Sequence, residues 1–586
     1  MAYRAPVADM LFTMTHAAGL REGIDTGLYH DLADGALEAL LEEAAKFAEN
    51  RLAPLNRDGD KVGAKLTGDV VTTAPGWREA YAQWVEGGWN AVLGSPDHGG
   101  MGLPSIANAA FTEMWNASNM AFALCPLLGF GAVDAVEEHA SEDLKDRYLA
   151  KMISGEWSST MNLTEPQAGS DLAALRSKAV PQGDGTYRIF GQKIFITYGE
   201  HDMTDNIVHL VLARLADAPA GTKGISLFLV PKFLPDGTRN DVHCTGIEHK
   251  LGIHASPTCS MSYGDNGGAI GWLIGEENRG LNCMFTMMNS ARLSVGLQGV
   301  AQGELATQAA LAYARDRKQG RAPGSTGTSP IIDHPDIRRT IATMRALTDA
   351  SRAICYMTAG ALDRARRNGD KAAGDRAALL TPVAKAFSTD IGNEVASMGV
   401  QVHGGMGFVE ETGAAQIMRD VRIAGIYEGT NGIQSIDLVQ RKLPLGGGAV
   451  VRAEIEAMRA TVEAVRATNE PAFGRMAATL GAAVDSLAGA TEYMLAALGS
   501  APQDALAGAT PYLRLFGVAR GGTALADLAL ASHRLASGGE SDPSHAARIA
   551  TARFFADHVA TTAGGLEASI IEGAQSVHAP SLIAAE

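Results

Sequence analysis

Apolar residues recur every three or four positions through "ALEALLEEAAKFAENRLAPLN" (Ala36 to Asn56), the spacing of a helix with one buried face, and Pro54 predicts its end. "GWREAYAQWVEGGW" repeats the pattern, "LGSPDHGGMGLP" interrupts it as a Gly/Pro loop, and helical text resumes through "AVDAVEEHASEDLKDRYLAKMISGEW". Near Ser158 the period changes. "TYRIFGQKIFITYG", "NIVHLVLARL", "GISLFLVPKFL" and "CSMSYGDNGG" are short β-branched and aromatic runs between turn residues, which predicts antiparallel strands. Long helical periods return from about Leu281 in "GLQGVAQGELATQAALAYARDRK", "HPDIRRTIATMRALTDASRAICYMTAGALDRARR" and "DRAALLTPVAKAFSTDIGNEVASMGVQ", with "GRAPGSTGTSP" as an exposed loop. The glycines Gly446 to Gly448 predict a linker before a last Ala-rich helical block.

The expected architecture is therefore α+β and mainly α. Helices occupy 1–157, a small antiparallel β domain 158–280, a helical bundle 281–445 and a further helical extension 450–586. A chain of 586 residues exceeds one ordinary core, so several domains are expected.

Composition narrows the function. A net charge of -16 excludes a generic nucleic-acid binder and a strongly basic membrane patch. Cys125, Cys244, Cys259, Cys283 and Cys355 lack paired spacing, which indicates neither a disulfide framework nor a zinc site, and His249 and His254 have no partners at metal spacing. The start of the chain lacks a secretory pattern, and no run reaches the roughly 18 apolar residues of a membrane span. A soluble cytoplasmic protein without a metal or integral membrane association is the expectation.

Several short motifs carry candidate chemistry. "MNLTEPQAGSDLAALRSKA" opens the strand block with Thr164, Gly169 and Ser170 in a loop of small residues, able to approach a phosphate or ring, or equally an ordinary surface turn. Phe195 and Thr197 share one strand face, suited to a planar cofactor or to core packing. "VQVHGGMGFVEETG" fails as a dinucleotide fingerprint because no strand precedes it. "GFGAVDA" (Gly129 to Ala135) fails likewise and reads as tight helix packing. No hydrolase or NTPase signature occurs. In "IMRDVRIAGIYEGTNGIQSIDLVQRKL" one acid, Glu428, stands between Tyr427 and Gly429 in mostly apolar text. It is either a turn acid or a base held against a ligand.

Taken in order, "LTEPQAGSD", "GQKIFITYG", "NSARLSVGLQGVAQ", "YARDRKQG", "QVHGGMGF" and "MRDVRIAGIYEGTNGIQ" resemble the acyl-CoA dehydrogenase family across roughly residues 35 to 445. The resemblance implies a helical N-terminal domain, a β domain and a C-terminal four-helix bundle. It also implies FAD as cofactor, α,β-dehydrogenation of an acyl-CoA thioester, and an electron-transfer flavoprotein as acceptor. By position, Glu428 matches the catalytic glutamate. The alternative base position in the family, before the arginine of the first bundle helix, is Ala291 here, and cannot serve.

The same resemblance places Met161, Leu163 and Thr164 at the flavin ring, Gly169 in the cofactor loop, and Ser170 at the pyrophosphate or the CoA arm. Phe195 stands where tryptophan is usual, and Thr197 keeps the hydroxyl. Arg317 would pair with the pyrophosphate of a neighbouring subunit's FAD; Gln401, Gly404 and Gly405 would meet the adenosine half. Thr430 would lie beside the cofactor, Asn289 and Arg292 beside CoA, and Tyr427 and Gly429 beside the substrate. Departures are the missing aromatic after Arg317, Gly432 in place of a polar residue, and His254 and Pro257 in "KLGIHASPT".

The C-terminal extension and motif wording resemble a long bacterial branch of the family and imply 3-(methylthio)propanoyl-CoA as substrate. A general fatty acyl-CoA is the alternative. A DNA-associated flavoprotein of the alkylation response is disfavoured, because lysine is absent after Lys442 and acids outnumber arginines beyond residue 450. The extension is expected to pack on the bundle and leave a homodimer.

Overall fold

Pro54 does not end the amphipathic helix expected over 36–56 in the computed structural model, which describes residues 3–579. Helix α1 (Ala36–Phe47) passes through a π turn at Ala48–Leu52 into α2 (Ala53–Val62). Pro54 lies in the first turn of α2, where its missing N–H breaks no helix bond, and the wider π turn carries the chain past it. Then come α3 (Trp77–Glu86) and the long α4 (Ser105–His139). Helix α4 is broken at Asn119 (φ -159°, ψ 87°), whose side chain accepts from Phe122 N–H at 3.1 Å and so caps the second half. Although its sequence has no uninterrupted apolar run, α4 is long and apolar enough to cross a membrane. Its best window has mean hydropathy 1.5 and is 89% buried inside the fold.

The sheet comprises β1 (Trp157–Asn162), β2 (Lys178–Pro181), β3 (Tyr187–Thr197), β4 (Asn206–Ala213), β5 (Ser226–Pro231), β6 (Val242–Ile247), β7 (Thr258–Tyr263) and β8 (Ala269–Ile274). Strand order is β1-β4-β5-β8-β3-β7-β6, with β2 paired to β3. The expected antiparallel pairing holds except between β1 and β4, which run parallel from Trp157↔Asn206 to Asn162↔Val211. The β2–β3 hairpin between them supplies the crossover that parallel neighbours need, a non-local arrangement that alternation within each strand does not encode.

Three long helices follow: α5 (Gly280–Asp316), α6 (Pro335–Asn368) and α7 (Lys371–His403). The fourth helix expected in the bundle is short. After α8 (Ala414–Val421) it is α9 (Asn431–Asp437), prolonged by a π turn at Leu438–Lys442. Glycines set the spacing of α5 and α7. A Cβ on Gly299 would stand 2.1 Å from the Ser388 carbonyl oxygen, and one on Gly296 2.5 Å from that of Ala384. This close approach brings the middle of α7 against the middle of α5. Gly131 of α4 packs on Met287 in the same way, as the helix-packing reading of "GFGAVDA" expects.

Gly446, Gly447 and Gly448 all adopt positive φ in a tight turn that leads into α10 (Ala449–Thr468), α11 (Met476–Ser500), α12 (Ala509–Ser537), α13 (Pro543–His558) and α14 (Ala563–Glu572). The extension shares one apolar core with the bundle and the N-terminal helices. Helix α12 presses Gly517 onto the Phe387 ring of α7, where an added Cβ would lie 2.1 Å away. Arg514 of α12 forks onto Glu394 of α7 at 2.7 and 2.9 Å.

Candidate active site

Between α8 and α9 the chain turns through Ile426 to Thr430, and the turn is backbone-strained. Glu428 has φ 55° and Gly429 φ 78°, two consecutive left-handed residues. For glutamate this conformation costs about 1–2 kcal/mol, so surrounding contacts must impose it. Thr430 caps α9, its Oγ1 accepting from Ile433 N–H at 3.2 Å. Lys385 Nζ donates to the Gly429 carbonyl at 2.9 Å, and Gln434 Nε2 to the Glu428 carbonyl at 3.2 Å. Tyr427 donates its hydroxyl to Gln298 Oε1 of α5, and Gln298 Nε2 donates to Asn116 Oδ1 of α4 at 3.1 Å. Three helices thus fix a loop of five residues, with α4 supporting Gln298 from behind.

Two cations face the half-buried Glu428. Burial pushes its carboxyl above the usual glutamate value of 4.5, and the charges of Arg292 and Lys385 oppose that rise. Arg292 is buried on α5, 3.9 Å from Asp437, and desolvation lowers its proton affinity. Arg292 Nε, Gln434 Oε1 and Asp437 Oδ2 are buried without hydrogen-bond partners. The surroundings of Glu428 are therefore polar and incompletely paired within the chain, as suits a ligand site. Asn289 lies on α5 as well, and its side chain falls outside the described residues.

On the sheet, Phe195 (φ 59°) occupies a bulge in β3 where the register with β7 shifts between Lys193 and Ile196. Phe195 is 58% exposed and Thr197 half-buried, while Ile196 between them is buried. The loop Leu163–Ser170 is tied down from beneath. Glu165 and Lys193 form a buried ion pair at 2.8 Å; Glu165 also accepts from Arg176 N–H and Ser177, and Lys193 donates to the Leu163 carbonyl at 3.0 Å. Leu163 and Thr164 stay half-buried and Gly169 and Ser170 exposed, with nothing within 4 Å of a Cβ built on Gly169. Met161 is buried in a core cluster with Met284, Met287 and Ala291 of α5, which joins this sheet to the start of that helix.

Arg317, Gln401, Gly404 and Gly405 gather elsewhere. Tyr313 stacks on His403 at 4.4 Å, which sets the exposed ends of α5 and α7 side by side. A Cβ on Gly404 or Gly405 would meet nothing within 4 Å. At ~1.5 Å per residue, Arg317 lies about 37 Å along α5 from Arg292.

A narrow cleft open to solvent lies between α4 and α5 and is lined by Leu127, Phe130, Gly131, Ala291, Ser294 and Leu297 among others. A smaller cavity shares Leu127, Phe130 and Ser294 and adds Thr112, Trp115 and Asn116. Ala291 of the cleft precedes Arg292, whose charge acts on Glu428. Sequence reading misses Lys385, Gln298 and Asn431 around the loop, and Glu165 with Lys193 beneath the sheet-side one. A lysine inside the apolar run "LLTPVAKAF" was the one available signal.

Four family models match the chain in succession: "Acyl-CoA dehydrogenase, N-terminal domain" over residues 35–156, "middle domain" over 160–265, "C-terminal domain" over 278–443, and "Acetyl-CoA dehydrogenase C-terminal like" over 454–580. The chain belongs to the acyl-CoA dehydrogenase family, a family of oxidoreductases. Within it, the chain is 46% identical to 3-methylmercaptopropionyl-CoA dehydrogenase of Ruegeria pomeroyi, over 99% of this chain and 100% of that protein. It is 38% identical to a butyryl-CoA dehydrogenase of Syntrophomonas wolfei over 72% of each chain. Among solved structures, Caenorhabditis elegans ACDH-11 in complex with C11-CoA aligns with TM-score 0.79 at 19% identity. The alignment covers 97% of this chain and 95% of that one, so the fold including the extension is shared.

Proposed function

We propose that the protein dehydrogenates a short acyl-CoA thioester between Cα and Cβ to the trans-2-enoyl-CoA, with Glu428 as the base and 3-(methylthio)propanoyl-CoA as the preferred substrate. The observation that carries this reading is the strained, cation-flanked carboxylate at 428, in a loop held by side chains of α5, α7 and α9. The α-hydrogen of a thioester is a weak acid, so its removal needs a carboxylate of raised basicity at hydrogen-bond reach. Burial raises the basicity of Glu428, while Arg292 and Lys385 keep its charged form accessible. The Glu428 backbone N–H is suited to stabilise the developing enolate oxygen. Gly429, without a side chain, leaves room for the thioester beside the loop.

When bound, FAD would supply the two-electron acceptor for the β-hydrogen, which leaves as hydride. The residues present fit it. Phe195 and Thr197 offer an exposed ring and hydroxyl, Met161, Leu163 and Thr164 an edge, Gly169 and Ser170 an open loop, and Thr430 a neighbouring wall. Arg317, Gln401, Gly404 and Gly405 are assigned to the FAD of a second subunit, because they stand at the far end of α5 and α7. That assignment makes the working enzyme at least a homodimer. An electron-transfer flavoprotein is the proposed acceptor of the reduced flavin's electrons.

The substrate preference draws on the 46% identical relative. A general fatty acyl-CoA dehydrogenase is the second reading, favoured by the butyryl-CoA relative. Dye-linked assays over a panel of acyl-CoAs decide between them. The methylthio compound should give the highest kcat/KM. A maximum at butyryl or longer chains transfers the assignment to the second reading, and a colourless protein that cannot be loaded with FAD overturns both.

A further inference from the structure

Lys385 carries a fully buried ammonium on α7. It has two acceptors, the Gly429 carbonyl and Asn431 Oδ1, each at 2.9 Å, and among the described residues no carboxylate stands within ion-pair distance. A buried cation without a direct counter-ion is costly, and a neutral donor would satisfy both acceptors at lower desolvation cost. What a neutral donor lacks is the field at Glu428. We propose that Lys385 is a positioning residue of the reaction: it pins the left-handed loop through the Gly429 carbonyl, and its charge sets the proton affinity of Glu428.

The surrounding charges are few and can be named. Arg292 of α5 faces the same carboxylate, and Asp437 and Arg441 flank Arg292. Asp390 of α7 is the second acid acting on Lys385, one side chain removed, since Asn431 Nδ2 donates to Asp390 Oδ1 at 2.6 Å. Lys385, Arg514 of α12 and Glu394 in turn act on Asp390. Burial lowers the Lys385 ammonium to about 8, and Glu428 and Asp390 resist the fall. Lysine is therefore charged at neutral pH, where the base must be ionised. Loss of that charge raises the Glu428 carboxyl further.

This inference rests on the reading of Glu428 as the base, and its test reads the carboxyl directly. Infrared difference titration of the FAD-loaded protein, with Glu428→Gln as the blank, reports the protonation midpoint of Glu428. In Lys385→Met and Lys385→Gln the midpoint should rise by about one pH unit, a tenfold change in protonation. The acid limb of flavin reduction should move with it, and Lys385→Arg should return both to wild-type positions. The Gln variant keeps a donor for the Gly429 carbonyl and serves if the Met variant does not fold. Midpoints of the neutral variants that coincide with wild type overturn the inference. Wild-type flavin reduction by Glu428→Gln instead overturns the base assignment and leaves the titration readable, so the two failures are distinct.

Discussion

At Glu428 and Gly429 the backbone takes φ 55° and 78°, and the contacts that impose this come from side chains on α5, α7 and α9. Strain of this kind persists where geometry matters more than local stability. For Gly429→Ala, the new Cβ meets Gln434 Nε2 at 2.7 Å in a left-handed conformation, so a stability loss of about 1–2 kcal/mol is expected with slower flavin reduction. Denaturant midpoints and stopped-flow absorbance check both, and an unchanged variant contradicts the strained-loop account. The pH dependence has a definite sign. Burial holds Glu428 above 4.5, and only the carboxylate accepts the α-proton, so the rate of flavin reduction should rise with pH through an inflection above 4.5. An inflection at or below 4.5 contradicts a desolvated base.

Among the elements, what sequence periodicity reveals and what it hides have physical reasons. The long helices, the strand block and the extension were legible because one buried face recurs at a fixed period. The passage of the chain through Pro54 was not, since a π turn leaves no periodic mark. The parallel β1–β4 pair was hidden because pairing partners are chosen across the whole sheet. Glu428 stands out in the sequence through its motif, whereas Lys385 and Gln298 are single polar residues on helices whose partners lie 44 and 129 positions away. The packing of α12 on α7 gives a test at this scale. Gly517→Val drives a branched side chain into the Phe387 ring, and overpacking of about 1–3 kcal/mol should lower the thermal midpoint. A midpoint equal to wild type means that α12 does not dock there in solution.

For the whole molecule, the candidate cofactor residues fall into two groups, one at the sheet-side loop and one at the far end of the bundle. The proposed homodimer is what would bring one group to the other. The extension packs on α6 and α7 through Gly521 and Gly517 of α12 and the Arg514–Glu394 pair, and is expected to leave a homodimer. Sedimentation equilibrium should therefore give the mass of two 61.2 kDa chains, and a mass of four chains removes this role for the extension. Arg317→Ala should weaken FAD retention without changing the fold, as read by flavin absorbance after gel filtration and by circular dichroism. Full retention excludes the cross-subunit contact.

The most direct test of the mechanism is anaerobic stopped-flow mixing of FAD-loaded Glu428→Gln with 3-(methylthio)propanoyl-CoA, following loss of the oxidised-flavin band. The expected result is flavin bound as in wild type and bleached slower by roughly 10²–10⁴-fold, the usual contribution of a positioned base. Bleaching at the wild-type rate contradicts the assignment of Glu428 and, with it, the chemistry derived from this site.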